Sequence, residues 1–152
     1  MYTQQEASLL RQRFWVSFGK YMAPIPSSIG EKVNWMNYRT GNKFIQFKMD
    51  AEKEGAYIGI EVAGKDHALQ EMYFNHFKTF RQALENDFLE EKWEWDSAVN
   101  EKGLLVSRIF KRTGDLNIYN EKDWPALISF LKSRMIALDK FWNEYKEIFE
   151  ML

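Results

Sequence analysis

The stretch "KFIQFKMDAEKEGAYIGIEVAGKD", residues 43 to 66, constrains the fold more than any other part of the chain. Apolar and polar residues alternate on both sides of "AEKEGA", and a period of two marks strands with one buried face. If "AEKEGA" closes a hairpin, Asp50 faces Tyr57 and Gln46 faces Glu61. Ile45, Phe47, Met49, Ile58, Ile60 and Val62 then share the core face, since a slip of one residue would turn them all outward. The opposite face carries Phe44, Gln46, Lys48, Tyr57 and Glu61.

The flanking segments extend this unit. "VNWMNY" (33–38) reads as a further strand paired across "RTGN", where Gly41 can take the positive φ of a tight turn. That pairing adds Met36 to the core face and Trp35 and Asn37 to the other. Downstream, Gly64 ends the strand and Asp66 is the N-cap of a helix with the stripe Leu69, Tyr73, Phe77, Phe80, Leu84. "KWEWDSA" and "LLVSRIFK", separated by "VNEKG", form a second hairpin, with Trp93 and Trp95 on one core-packed side.

Helices close both ends. Thr3 and Glu6 have the capping-box spacing, and Ala7, Leu10, Phe14, Phe18 and Tyr21 recur at helical spacing until the prolines of "APIPSSIG". Pro125 suits a first helical turn, and Leu127, Leu131, Met135, Leu138, Phe141, Tyr145 and Ile148 continue to the C-terminus. At 1.5 Å per residue that helix is roughly 40 Å long. The expected order is α-β-β-β-α-β-β-α. It describes a single α+β domain over 1–152, a mostly antiparallel sheet packed by helices with a long C-terminal helix.

That order resembles the core of the restriction-endonuclease-like superfamily, which holds Mg²⁺ on an Asp from its second strand and an acid-x-Lys from its third. Here the third strand reads Glu61-Val62-Ala63, so alanine stands at the lysine position. Lys65 lies about 13 Å further along an extended chain. Glu61 faces Gln46 instead of an acid, and Asp50 is again roughly 13 Å away. Glu31, before the first strand, is the remaining acid that could approach. The register therefore argues against an intact metal nuclease, and no catalytic residue or metal ligand is assigned. A divergent Mg²⁺-dependent nuclease using Glu61 with Glu31 or Asp50 stays as an alternative.

Other chemistries find less support. The chain has no cysteine, so disulfides and thiolate chemistry are excluded. His67 and His76, nine apart on a helix, point to opposite sides. The eight glycines form neither G-x-G-x-x-G nor a P-loop, and no cofactor is expected. The N-terminus has charges where a signal peptide needs an apolar run, and no stretch could span a membrane, so the cytoplasm is the expected location. A net charge of −1 gives no global attraction to nucleic acid or lipid.

Local patches are more informative. The acidic run "ENDFLEEKWEWD" (85–96) reads as a solvated surface. Arg108, Lys111 and Arg112 make the best basic cluster, although nucleic-acid binding normally uses more phosphate contacts. Trp35, Gln46, Lys48, Tyr57 and Glu61 make a mixed aromatic and polar sheet face. Either the first or the last helix covers that face, or it binds bases, phosphates or a protein.

The segments "QQEASLLRQRFWVSFGKYM", "GEKVNWMNYRTG", "AYIGIEVAGKD" and "NIYNEKDWPALISFLKSRM" together resemble the domain-of-unknown-function 4268 family, from about residue 4 to 148. The resemblance implies a bacterial module of the kind often found C-terminal to endonuclease-like domains. This chain is expected to stand without an attached nuclease. The expectation is a non-catalytic binding or assembly module, accessory to a nuclease or to a DNA-processing or defence protein. Its candidate binding residues are Trp35, Gln46, Lys48, Tyr57, Glu61, Arg108, Lys111 and Arg112. A homodimer, through the sheet face or the Phe141–Tyr145–Phe149 end of the last helix, is the further alternative.

Overall fold

The computed structural model describes residues 2–151. Helix α1 spans Gln4–Met22, and the Thr3 hydroxyl accepts the Glu6 backbone N–H as its N-cap. Strands β1 (Ile45–Glu52) and β2 (Gly55–Ala63) form the first hairpin. Helix α2 (His67–Thr79) comes next, with the Asp66 carboxylate accepting the Leu69 N–H. A π-helical stretch, Ala83–Leu89, leads to β3 (Glu94–Val99) and β4 (Leu105–Arg112). Helix α3 (Trp124–Glu150) carries Pro125 in its first turn, where the missing N–H costs no hydrogen bond.

All four strands are antiparallel, in the order β1-β2-β4-β3. The register is the one that the alternation predicts: Gln46 pairs with Glu61 and Asp50 with Tyr57. The α+β class and the long last helix also hold. The element order is α-β-β-α-β-β-α, one strand shorter than expected.

The missing strand is 33–38. Trp35–Asn37 is a single 3-10 turn, because the Asn34 side chain accepts the N–H groups of both Met36 and Asn37. A short polar side chain thus takes the donors that a sheet ladder would have used. The Trp35 ring is buried and donates its N–H to the Ile25 carbonyl at 2.8 Å. Gly41 does have a positive φ, +83°, but in the loop entering β1 and not in a hairpin. The α-β-β-β-α-β order behind the endonuclease comparison therefore lacks its first strand.

The core lies between one sheet face and the helices. Ile45, Ile58, Ile60, Val62 and Ile109 meet Phe14 and Phe18 of α1, Phe77 of α2, and Leu131, Leu138, Phe141 and Trp142 of α3. Burying each such side chain contributes about 1.5–3 kcal/mol. Phe141 and Phe149 pack among Phe77, Phe80, Phe88 and Tyr145, so both of these rings at the end of α3 are buried in the core and not open to a homodimer contact. Trp93 is buried and Trp95 half-buried on the same side. No described helix is long and apolar enough to cross a membrane.

Candidate functional site

Among the described residues no helix covers the opposite face of the sheet, where Gln46, Lys48 and Arg112 are exposed. Tyr57, Gly59 and Glu61 alternate onto this face from β2, and the register sets Lys48 of β1 and Arg108 of β4 beside them. Gly59 determines how the face is arranged. A Cβ there would lie 2.6 Å from the Tyr57 hydroxyl and 2.9 Å from Phe110 Cβ, so only glycine lets the Tyr57 ring lie along its own strand. The ring then reaches Glu61, donating from its hydroxyl to Oε2 at 2.9 Å.

Ion pairs extend this contact sideways. Lys48 Nζ is 3.5 Å from Glu61 Oε1. Arg108 forks onto Asp96, with Nε at 3.0 Å and Nη2 at 2.6 Å from the two carboxylate oxygens. The Arg108 guanidinium also lies 4.4 Å from the centre of the Phe110 ring. Burial pushes the Tyr57 phenol well above its usual value, and the Glu61 charge and hydrogen bond add to this, while Arg108 pulls it down. The Asp96 hydrogen bonds raise Arg108 further still. At ordinary pH the Tyr57 phenol is therefore neutral and the Arg108 guanidinium charged.

Arg112 differs from the other cations in this centre. It is exposed, lies 5.3 Å from the centres of both the Tyr57 and Phe110 rings, and has no carboxylate partner among the described residues. Beside it opens a depression of about 600 Å³ lined by Lys48, Glu54, Tyr57, Glu61, Arg108 and Arg112, among others. A second depression, about 360 Å³, continues the face past Glu61 towards Gln46, Lys43 and Lys65.

Six of the eight candidate residues thus share one surface: Gln46, Lys48, Tyr57, Glu61, Arg108 and Arg112. Trp35 does not, because its ring is in the core. Lys111 does not either. It pairs in register with core-facing Ile58, and its amine reaches the Lys92 carbonyl at 3.4 Å. The basic cluster of β4 is split by the pleat, with Arg108 and Arg112 on the open side. Glu31 lines a different pocket from Glu61, and Asp50 sits 3.5 Å from Arg11. No group of three or more acidic, His or Cys side chains among the described residues could hold a metal ion.

Two polar clusters escaped the sequence reading. Asp139, on the buried side of α3, accepts the Tyr38 hydroxyl at 2.6 Å, the Ser28 N–H at 2.7 Å and the Asn143 amide at 3.1 Å. Burial, together with the hydrogen bond to Asp139 and its charge, pushes the Tyr38 phenol far up. The signal was an acid set within the apolar stripe Met135, Leu138, Trp142. Glu85, taken as part of a solvated acidic run, is also buried. Its carboxylate accepts the Trp93 N–H at 2.9 Å, the Trp95 ring N–H at 3.2 Å and Arg81 at 3.0 Å.

The family model described as Domain of unknown function (DUF4268) matches residues 10–146, and the chain belongs to that family. No curated protein and no solved structure matches it.

Proposed function

We propose that the chain is a non-catalytic binding module whose open sheet face receives an acidic segment of a protein partner. The observation behind this is Arg112, a cation 5.3 Å from the centres of two aromatic rings with no carboxylate of its own among the described residues. A guanidinium supported by rings and left without a carboxylate can offer two parallel hydrogen bonds to one from a partner. Arginine and tyrosine beside a depression also match the composition of protein-interface anchors.

The charge balance favours a protein over nucleic acid. Lys48 and Arg108 already face Glu61 and Asp96, and Asp50, Glu52 and Glu54 lie on the same rim. A phosphate backbone draws its affinity from a row of unpaired cations, and this depression offers only Arg112, whereas a single carboxylate needs no more than that one guanidinium. Glu61, tied to Tyr57 and Lys48, is likewise engaged in the face itself and not aimed at a metal. The family resemblance directs the search for this partner to nucleases and other DNA-processing proteins.

Fluorescence anisotropy tests the proposal with a labelled peptide alternating Glu and Tyr, and with labelled single- and double-stranded DNA. Both run at two salt concentrations, with and without Mg²⁺. The peptide is expected to bind in a salt-sensitive way and to lose binding in Arg112→Glu. DNA binding without peptide binding would replace the reading with a nucleic-acid one, and a DNA signal that falls only with Mg²⁺ would replace it with a nuclease.

A further inference from the structure

The two edges of the sheet are finished differently: β1 is capped at both ends, with Phe47 and Met49 unpaired between the caps, whereas β3 leaves a run of three outward residues unpaired among the described residues. On β1, the outward groups belong to Ile45, Phe47, Met49 and Ala51, since the Ala63 N–H bonds the Phe44 carbonyl across the pair. The chain closes both ends of that edge. The Ile45 N–H reaches the Asn42 carbonyl and the Ile45 carbonyl accepts Thr40 Oγ1; the Ala51 carbonyl accepts Arg11 and its N–H bonds Asp50.

On β3 the Asn100 N–H bonds the Leu104 carbonyl, so Glu94, Asp96 and Ala98 point their backbone groups at β4. Trp95, Ser97 and Val99 point theirs outward. The preceding outward N–H, that of Trp93, is taken by Glu85, but these three residues have no backbone hydrogen-bond partner among the described residues. Val99 is 66% exposed besides. Unpaired edges of this kind template the addition of another strand.

We propose that this edge pairs with β3 of a second copy, antiparallel about Ser97, to give a continuous eight-stranded sheet. The proposal stands apart from the binding role of the open face. Centred there, Ser97 meets Ser97 and Trp95 meets Val99 of the other copy, so every outward group faces another outward group. Each directly opposed pair then exchanges two hydrogen bonds. The side chains agree with that register. Trp95 with Val99 is an aromatic–β-branched pair, Ser with Ser is a hydrogen-bonding pair, Asp96 faces Ala98 and Glu94 faces Asn100. No like charges stand directly opposite, and Asp96 is already neutralised by Arg108. A two-fold axis through Ser97 makes the contact self-complementary, as a closed dimer requires. It also sets the two open faces on the same side.

Sedimentation velocity over a hundredfold range of concentration tests this on the whole chain. A monomer–dimer equilibrium is expected, weakened at least tenfold by Val99→Pro. That substitution removes an N–H facing away from β4 and leaves the intramolecular ladder intact. Monomer at every concentration, or a dimer indifferent to Val99→Pro, would overturn the proposal. Should that variant misfold, hydrogen exchange on the unmodified chain decides. The Trp95, Ser97 and Val99 amides slow as concentration rises if the edge is paired, and exchange at one rate throughout if it is not.

Discussion

On the covered side of the sheet, Ile58, Ile60, Val62 and Ile109 are wholly buried among aromatic rings from three helices. One residue along the same strands, Tyr57, Glu61 and Arg108 lie on the open side, where Tyr57 donates to Glu61, Lys48 pairs with Glu61, and the Arg108 guanidinium lies 4.4 Å from the Phe110 ring centre. The first side is non-directional and gains from every apolar atom buried. The second gains little stability, because exposed charge pairs are worth at most about 1 kcal/mol each. What it gains is position: rings and charges stand in fixed places without a core around them. Stability and recognition are divided by the pleat.

The division is sharpest in truncation experiments. Phe77→Ala, beneath the Phe141 and Phe149 rings, should lose about 3–5 kcal/mol in urea denaturation. Arg108→Ala on the open side should lose no more than about 1 kcal/mol. Equal losses would mean that the open-face network carries structure as well. Asp139→Ala comes next, at about 3 kcal/mol, because it strands the Tyr38 hydroxyl and the Ser28 N–H within the fold.

Within the open side, Gly59 is tightly packed. Gly59→Ala should cost about 1–3 kcal/mol, since the methyl group displaces the Tyr57 ring. In a Tyr57→Ala background most of that cost should vanish, which a double-mutant cycle measures. An unchanged cost would point to the Phe110 side as the source of the clash.

Acid provides a gentler test. Burial acts to raise the Glu85 carboxyl, but the Trp93 N–H, Arg81 and the Trp95 ring outweigh it and hold it below its usual value. A depressed folded-state value contributes stability above the unfolded value of about 4.3, and loses it as pH falls towards the folded one. Stability should therefore decline below about pH 4, and less steeply in Glu85→Gln. Parallel declines in both proteins would remove Glu85 from the acid response.

Period-two alternation made the β1–β2 hairpin legible to the residue, because one face had to be buried and a slip would have exposed it. The same rule failed at 33–38. There Asn34 offered the backbone a local partner, and Trp35 was drawn to a carbonyl in the preceding loop. Alternation also placed Glu61 opposite Gln46, which was enough to argue against a metal pair. It could not show that Glu85 and Asp139 are buried, because an acid reads as polar whichever way it points. Only the geometry around it reveals that Trp93, Tyr38 and Ser28 are aimed at it. Nor could it decide whether a helix covers the second face, since that depends on where α1 and α3 cross the sheet.

Arg112→Ala should have the smallest effect on folding and the largest on recognition. The side chain is exposed and makes no ion pair among the described residues, and surface changes of this kind stay within about 0.5 kcal/mol. The melting temperature should barely move. Binding of the acidic peptide should nevertheless fall by tenfold or more, because the carboxylate loses its only unpaired, ring-supported partner in the depression beside Tyr57. Arg112→Lys separates charge from shape. A lysine keeps the positive charge but has neither a planar guanidinium to set against the rings nor a fork of donors, so a substantial loss is expected there too. Full affinity in the lysine variant would reduce Arg112 to a point charge and move the specificity of the face to Tyr57 and Glu61.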